Sequence, residues 1–165
     1  MINKKYLYNF LIFFLIFLIQ IYFPTINLKE IQLQADIVLV YITIMALIYG
    51  RFTAIIIGFT AGFIQDISTQ SDLIGIYSLS KSISAYCLGI IFNYQTIWSR
   101  KMKHLVILGS YMIHFSIYFY FLSRSFIDIY YFLILIVIQS MITFILFLAC
   151  NNLFHRKRSF SKKCT

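Results

Sequence analysis

Few residues in this chain could do chemistry. Its 165 residues hold five carboxylates, Glu30, Asp36, Asp66, Asp72 and Asp128, with three histidines and three cysteines. The acids are scattered and form no helix-borne pair, and no GxSxG elbow, Walker loop or HExxH occurs. The residues therefore give an enzyme nothing to stand on. Cys87, Cys150 and Cys164 are far apart, with no CxxC or Cys/His metal spacing, so no metal or other cofactor is implied. They read as small apolar fillers and one tail thiol. His114 falls inside an apolar block, where an ionisable group points to function, such as a proton relay. No acid is expected at matching depth, so His114 reads as a neutral side chain hydrogen-bonded to a neighbouring helix. Lys81 also lies in an apolar block, about two turns from its end. It can snorkel outward or meet Asp66 or Asp72, and the ion pair expected here is Lys81–Asp66.

The elements that carry these residues follow from composition. The chain is 61% hydrophobic and 12% charged, whereas soluble domains are about 45–50% apolar and about 25% charged. Six apolar blocks can be drawn: Tyr6–Phe23, Ile37–Tyr49, Thr53–Ile64, Ile74–Tyr94, His104–Leu122 and Ile129–Cys150. Runs such as Phe10 to Ile19 lack the period-two alternation of a β-barrel. The fold class is all-α: a polytopic membrane protein, a bundle of about six transmembrane helices. Blocks two and three are short against the roughly 20 residues of a span. They are read as two real spans, the other possibility being a short helical hairpin around Gly50-Arg51 sheltered by longer helices. Block one follows Asn3-Lys4-Lys5 like a signal peptide, but Phe10 to Phe23 contains no small-residue cleavage site. It is read as a retained first helix ending at Pro24. Residues 1–150 form one helical domain and 151–165 a basic tail.

Charge orients the bundle. With the N-terminus in the cytoplasm and six spans, the inner segments hold Lys4, Lys5, Arg51, Arg100, Lys101, Lys103, Arg156, Lys157, Arg158, Lys162 and Lys163. Of the 14 basic residues only Lys29, Arg124 and Lys81 fall elsewhere, and every acid falls outside. This is the positive-inside pattern, and it places both termini in the cytoplasm. It also accounts for the net charge of +9 without a nucleic-acid partner. The basic tail reads first as a topogenic stop and second as a segment attracted to anionic membrane lipids.

Two stripes of small residues mark helix packing. Ala54, Gly58 and Gly62 recur every fourth place in block three, and the next step is Asp66. Such a stripe lets another backbone approach closely. Gly50 continues the spacing but reads as part of the turn with Arg51. In block four Gly75, Ser78, Ser82, Ala85 and Gly89 are spaced three, four, three, four, near the 3.5-residue period of a left-handed helix pair. This second seam is expected to meet another helix of the bundle, block three being one candidate. The first stripe serves packing within the bundle, docking of another protein's membrane helix, or both. On the docking reading, a bulky residue at Gly62 loses a partner without unfolding the bundle.

Gly58-x-x-x-Gly62-x-x-x-Asp66, followed by Gly75, Leu79 and Tyr86, resembles the core signature of the bacterial rod shape-determining protein MreD family. Chain length, six apolar blocks, Asp36 opening block two and the basic tail agree, while Ala35 stands where the family often has proline. The motif resemblance covers about residues 34–92. It implies a noncatalytic membrane scaffold of the lateral wall-elongation complex, regulating cell shape and peptidoglycan synthesis in the bacterial inner membrane. The partners it implies are an MreC-like bitopic protein, the actin-like MreB, a RodA-type glycosyltransferase and a class B penicillin-binding protein. The family's core is also similar to the substrate-binding subunits of vitamin transporters, which makes a small-molecule-binding transporter subunit the alternative. That class typically carries a small-residue stripe on helix one, which here is almost wholly Phe, Ile and Leu. An ion channel would need paired intramembrane acids.

Overall fold

Each apolar block of the sequence forms one helix. A computed structural model describes residues 4–22, 26–28, 31–69, 74–122 and 129–161. The helices are α1 (Lys4–Tyr22), α2 (Ile37–Tyr49), α3 (Arg51–Thr69), α4 (Ile76–Asn93), α5 (Arg100–Leu122) and α6 (Ile129–Ser161). A small antiparallel hairpin, β1 (Ile26–Leu28) and β2 (Ile31–Leu33), links α1 to α2 and pairs Ile26 with Leu33. It is a minor addition to an all-α bundle. Glu30, Asp72, Asp128, Lys29 and Arg124 lie outside the described residues, so an Asp72 partner for Lys81 does too.

The helix bounds show where polar residues extend an element. The apolar run of block three stops at Ile64, where Gln65, Asp66, Ser68 and Thr69 begin. The helix continues to Thr69 because its polar groups find partners. Ser68 and Thr69 donate their hydroxyls back to the Gln65 carbonyl at 3.0 and 2.7 Å. At 19 residues α3 spans about 28 Å, enough to cross, whereas the 13 residues of α2 span about 20 Å. Arg51–Thr69, Arg100–Phe121 and Ile129–Asn152 are long and apolar enough to cross a membrane. The helix α6 also runs past Cys150 to Ser161, so the basic segment begins as helix.

Short α2 is the hub. Val38, Leu39, Ile42 and Ala46 are buried, and α1, α3, α4 and α6 pack around them. Gly50 ends α2 with φ +85°, a left-handed conformation that favours glycine, and α3 begins at the next residue. Gly50 thus stands between the two helices, while Arg51, read as part of the same turn, opens α3. The starts of α2, α4 and α6 thus lie with the ends of α1, α3 and α5 at one end of the bundle. The basic residues Arg51, Arg100, Lys101 and Lys103 lie at the other.

The broadest interface joins α3 to α4, running antiparallel. A Cβ built on Gly58 would lie 3.0 Å from the Lys81 carbonyl oxygen and 3.1 Å from Ala85 Cβ. One built on Gly62 would lie 2.5 Å from Ser78 Cα, and one on Gly89 would strike the Arg51 backbone. The two stripes read from the sequence therefore face one another. Ala54, Gly58, Gly62, Ser78, Ala85 and Gly89 are all buried.

Two members of the second seam are corrected. A Cβ on Gly75 would meet open space, and its φ is +110°, so Gly75 shapes the turn into α4 rather than packing. Ser82 is only half-buried and donates its hydroxyl to the Ser78 carbonyl at 2.6 Å. Lys81, through its backbone, takes the place assigned to Ser82.

Candidate functional site

Two charged side chains of the bundle interior, Asp36 and Lys81, meet at the α2 start. Asp36 is the N-cap of α2, and its Oδ1 accepts from Leu39 N at 2.9 Å. This satisfies one of the backbone donors that a helix start leaves unpaired. Gln20, from the last turn of α1, satisfies another by accepting from Ile37 N at 2.7 Å. The Gln20 amide also donates to the Ala35 carbonyl at 3.2 Å, clamping α1 to α2.

Lys81 projects from α4 into this cap. Its Nζ donates to Asp36 Oδ2 at 2.7 Å and to Gln65 Oε1 at 2.6 Å. Lys81 is 0% exposed and Asp36 5%. A charge this deep is retained only when paired and hydrogen-bonded. The pair ties α2, α3 and α4 together through one ammonium. His114 of α5 adds a fourth helix, with Nε2 at 3.5 Å from the same Asp36 oxygen. The expected Lys81–Asp66 pair is thus corrected to Lys81–Asp36. An acid does lie at the depth of His114, because Asp36 is drawn inside by Lys81 rather than left in an outer loop.

Asp66 has a different task. It is 0% exposed, and its oxygens accept from Tyr77 N at 2.9 Å, Ser78 N at 3.0 Å and Ser78 Oγ at 2.5 Å. Gly75, at the N-cap of α4, has no side chain to serve these amides. An acid from α3 therefore caps α4, where negative charge also suits the helix dipole. The short reach depends on Gly62, one turn earlier, touching the Ser78 backbone. Asp66→Ala is expected to destabilise the bundle by at least the roughly 1.5–3 kcal/mol of one hydrogen bond to a charged group. Asp66→Asn should lose less, since one amide oxygen can still accept. Thermal unfolding in detergent would check the order, and equal stability of Asp66→Ala and the parent would refute the capping role.

Beside the ionic cluster lies a cavity of about 230 Å³. Its walls include Gln20, Asp36, Gln65, Tyr77, Tyr118 and Gln139. Tyr77 donates its hydroxyl to that of Tyr118 at 2.9 Å, and the rings stack at 4.8 Å. Gln139 of α6 donates its amide to the Gln34 carbonyl, while its buried Oε1 has no partner among the described residues. The cavity can hydrogen-bond a small polar molecule. Among the described residues no three His, Cys, Asp or Glu lie close enough to hold a metal ion.

Sequence reasoning missed Gln20, Gln65, Gln139 and the tyrosine pair. Gln20 and Gln139 give only the signal of a polar side chain in an apolar block, and Gln65 lies just past the end of one. The side-chain contacts of these five residues span from 15 to 105 residues of chain, beyond any local pattern.

This architecture is that of a polytopic α-helical membrane protein whose interior charges serve as joints between helices. Residues 4–107 match the family described as rod shape-determining protein MreD. The match takes in more than half of the chain, from α1 into α5, and the chain belongs to that family. Its role accordingly lies in rod shape determination. No curated protein and no solved structure matches the chain.

Proposed function

We propose that the protein is a noncatalytic scaffold of the complex that elongates the lateral cell wall. It acts in the bacterial inner membrane with six passes and both termini in the cytoplasm. The family match over residues 4–107 carries this reading. The placement of charge supports it, since Asp36, Asp66 and Lys81 are committed to helix–helix joints. The partners are those of the family's complex: an MreC-like bitopic protein, MreB, a RodA-type glycosyltransferase and a class B penicillin-binding protein. Because Gly58 and Gly62 are covered by α4, partner helices meet other faces. The stripe Phe52, Ile56, Phe59, Phe63 and Ile67 points away from the bundle. Depletion in the native bacterium is expected to turn rods into rounded cells. Rods of normal width after depletion would refute the reading.

One observation favours the alternative of a small-molecule-binding subunit. The cavity beside Asp36 offers a Gln139 oxygen without a partner among the described residues, and a stacked tyrosine pair. Under that reading depletion produces a nutrient requirement with normal shape, and a polar ligand copurifies with the protein.

A further inference from the structure

At the opposite end of the bundle a second cleft, of about 560 Å³, opens between the start of α5 and residues 147–152 of α6. This lies within the roughly 300–1,000 Å³ of ligand sites. Its chemistry is graded. Arg100, Lys103 and His104 line the outer part, and Ile107 and Phe147, each 2% exposed, lie deeper. The four α5 residues follow i, i+3, i+4, i+7 spacing, so they share one helix face. Asn151, half-buried on α6, adds an amide across the cleft.

Among the described residues no carboxylate pairs with the cations in this cleft, and both ion pairs are at Asp36, at the far end of the bundle. Lys103 donates one hydrogen bond to the Gln95 carbonyl at 2.6 Å, which leaves two of its three donors. Gln95 is anchored in turn to the Leu47 carbonyl at 2.6 Å, so the ammonium is held at the mouth. Arg100, Lys101 and Lys103 also occupy the first turn of α5, where the helix dipole disfavours positive charge unless an anion is near. Membrane topology requires basic residues at this end. It does not require them around a cleft with an apolar floor.

We propose that this cleft binds the phosphate of an anionic phospholipid, with Arg100, Lys103 and His104 at the head group and the first part of the acyl chains against the apolar lining of Ile107, Phe147 and Leu148. Basic pockets between membrane helices suit such head groups. The proposal is independent of the partners named above.

The test uses the full chain purified in detergent, with phosphatidylglycerol, phosphatidylcholine or inorganic phosphate added. Phosphatidylglycerol is expected to raise the thermal midpoint and to stay bound in native mass spectrometry, while phosphatidylcholine does neither. Arg100→Gln and Lys103→Gln should each weaken phosphatidylglycerol binding roughly fivefold, and Lys103→Arg should retain it. Arg100 is exposed, so Arg100→Gln remains a test if Lys103→Gln disturbs the Gln95 contact and fails to fold. Equal binding of phosphatidylcholine would overturn the proposal. So would undiminished binding in Arg100→Gln, or a loss seen only in a tail variant such as Arg156→Gln with Arg158→Gln. Stabilisation by inorganic phosphate equal to that by phosphatidylglycerol would assign the cleft to a soluble anion instead of a lipid.

Discussion

Gly62→Leu is expected to abolish accumulation of the folded bundle. A Cβ at this position would lie 2.5 Å from Ser78 Cα and 2.6 Å from both Ser78 N and the Tyr77 carbonyl oxygen. All three are backbone atoms of α4, so no side chain can swing aside. The helices α3 and α4 must separate, and the separation draws Asp66 off the Tyr77 and Ser78 amides that it caps. Overpacking alone costs about 1–3 kcal/mol and occasionally more, and the lost caps add to it. Gly58→Ala should be milder, because its nearest neighbours lie at 3.0–3.1 Å. Gly109→Ala is the control, with nothing within 4 Å of its Cβ. It should be neutral or slightly stabilising, since alanine is the better helix former by about 1 kcal/mol. Monodispersity and thermal midpoint in detergent would rank the three. A Gly62→Leu protein as stable as Gly109→Ala would contradict the α3–α4 contact. The outcome also bears on function. A shape defect in Gly62→Leu would follow from a lost fold, not from loss of a partner by an intact bundle.

Lys81→Met is expected to be nearly as damaging, for an electrostatic reason. It leaves Asp36 buried without its cation, and breaking a buried pair costs about 3–5 kcal/mol. It also deprives Gln65 Oε1 of its donor. Adding Asp36→Asn should recover much of the loss, because asparagine is neutral and still a good N-cap for Leu39 N. Replacing a buried ion pair with neutral groups is often close to neutral overall. The double variant should therefore exceed Lys81→Met in thermal midpoint and in restoring rod shape to depleted cells. A double variant no better than Lys81→Met would remove Asp36 as the partner. Exchanging Lys81 with Asp66 should not rescue. A lysine at position 66 has only donors, and the α4 amides there need an acceptor.

Much of the architecture was legible because apolar length and small-residue spacing are local properties. The bounds of α2, Ile37–Tyr49, coincide with the second apolar block, since Asp36 caps one end and Gly50 breaks the other. Gly58 and Gly62 announced a close backbone approach, which α4 supplies. The far end of α3 was legible only in part. The four-residue spacing carries the helix to Asp66, but the roles of Gln65 and Asp66 emerge only when Lys81 and the α4 amides are placed against them. Gly75 fitted a packing period, although its φ of +110° gives it a turn role that spacing cannot reveal.

What the sequence determined by itself is a membrane bundle with a glycine-lined α3, a broken turn at Gly50 and basic residues gathered at one end. Composition and period suffice for these, because burial in lipid demands long apolar helices and close helix contact demands small residues. That Lys81 belongs to Asp36, that Asp66 caps α4 and that His114 reaches the Asp36 carboxylate follows only from how the helices pack. A buried charge takes whichever partner the packed helices bring within about 3 Å, and that choice is made across the bundle rather than along the chain.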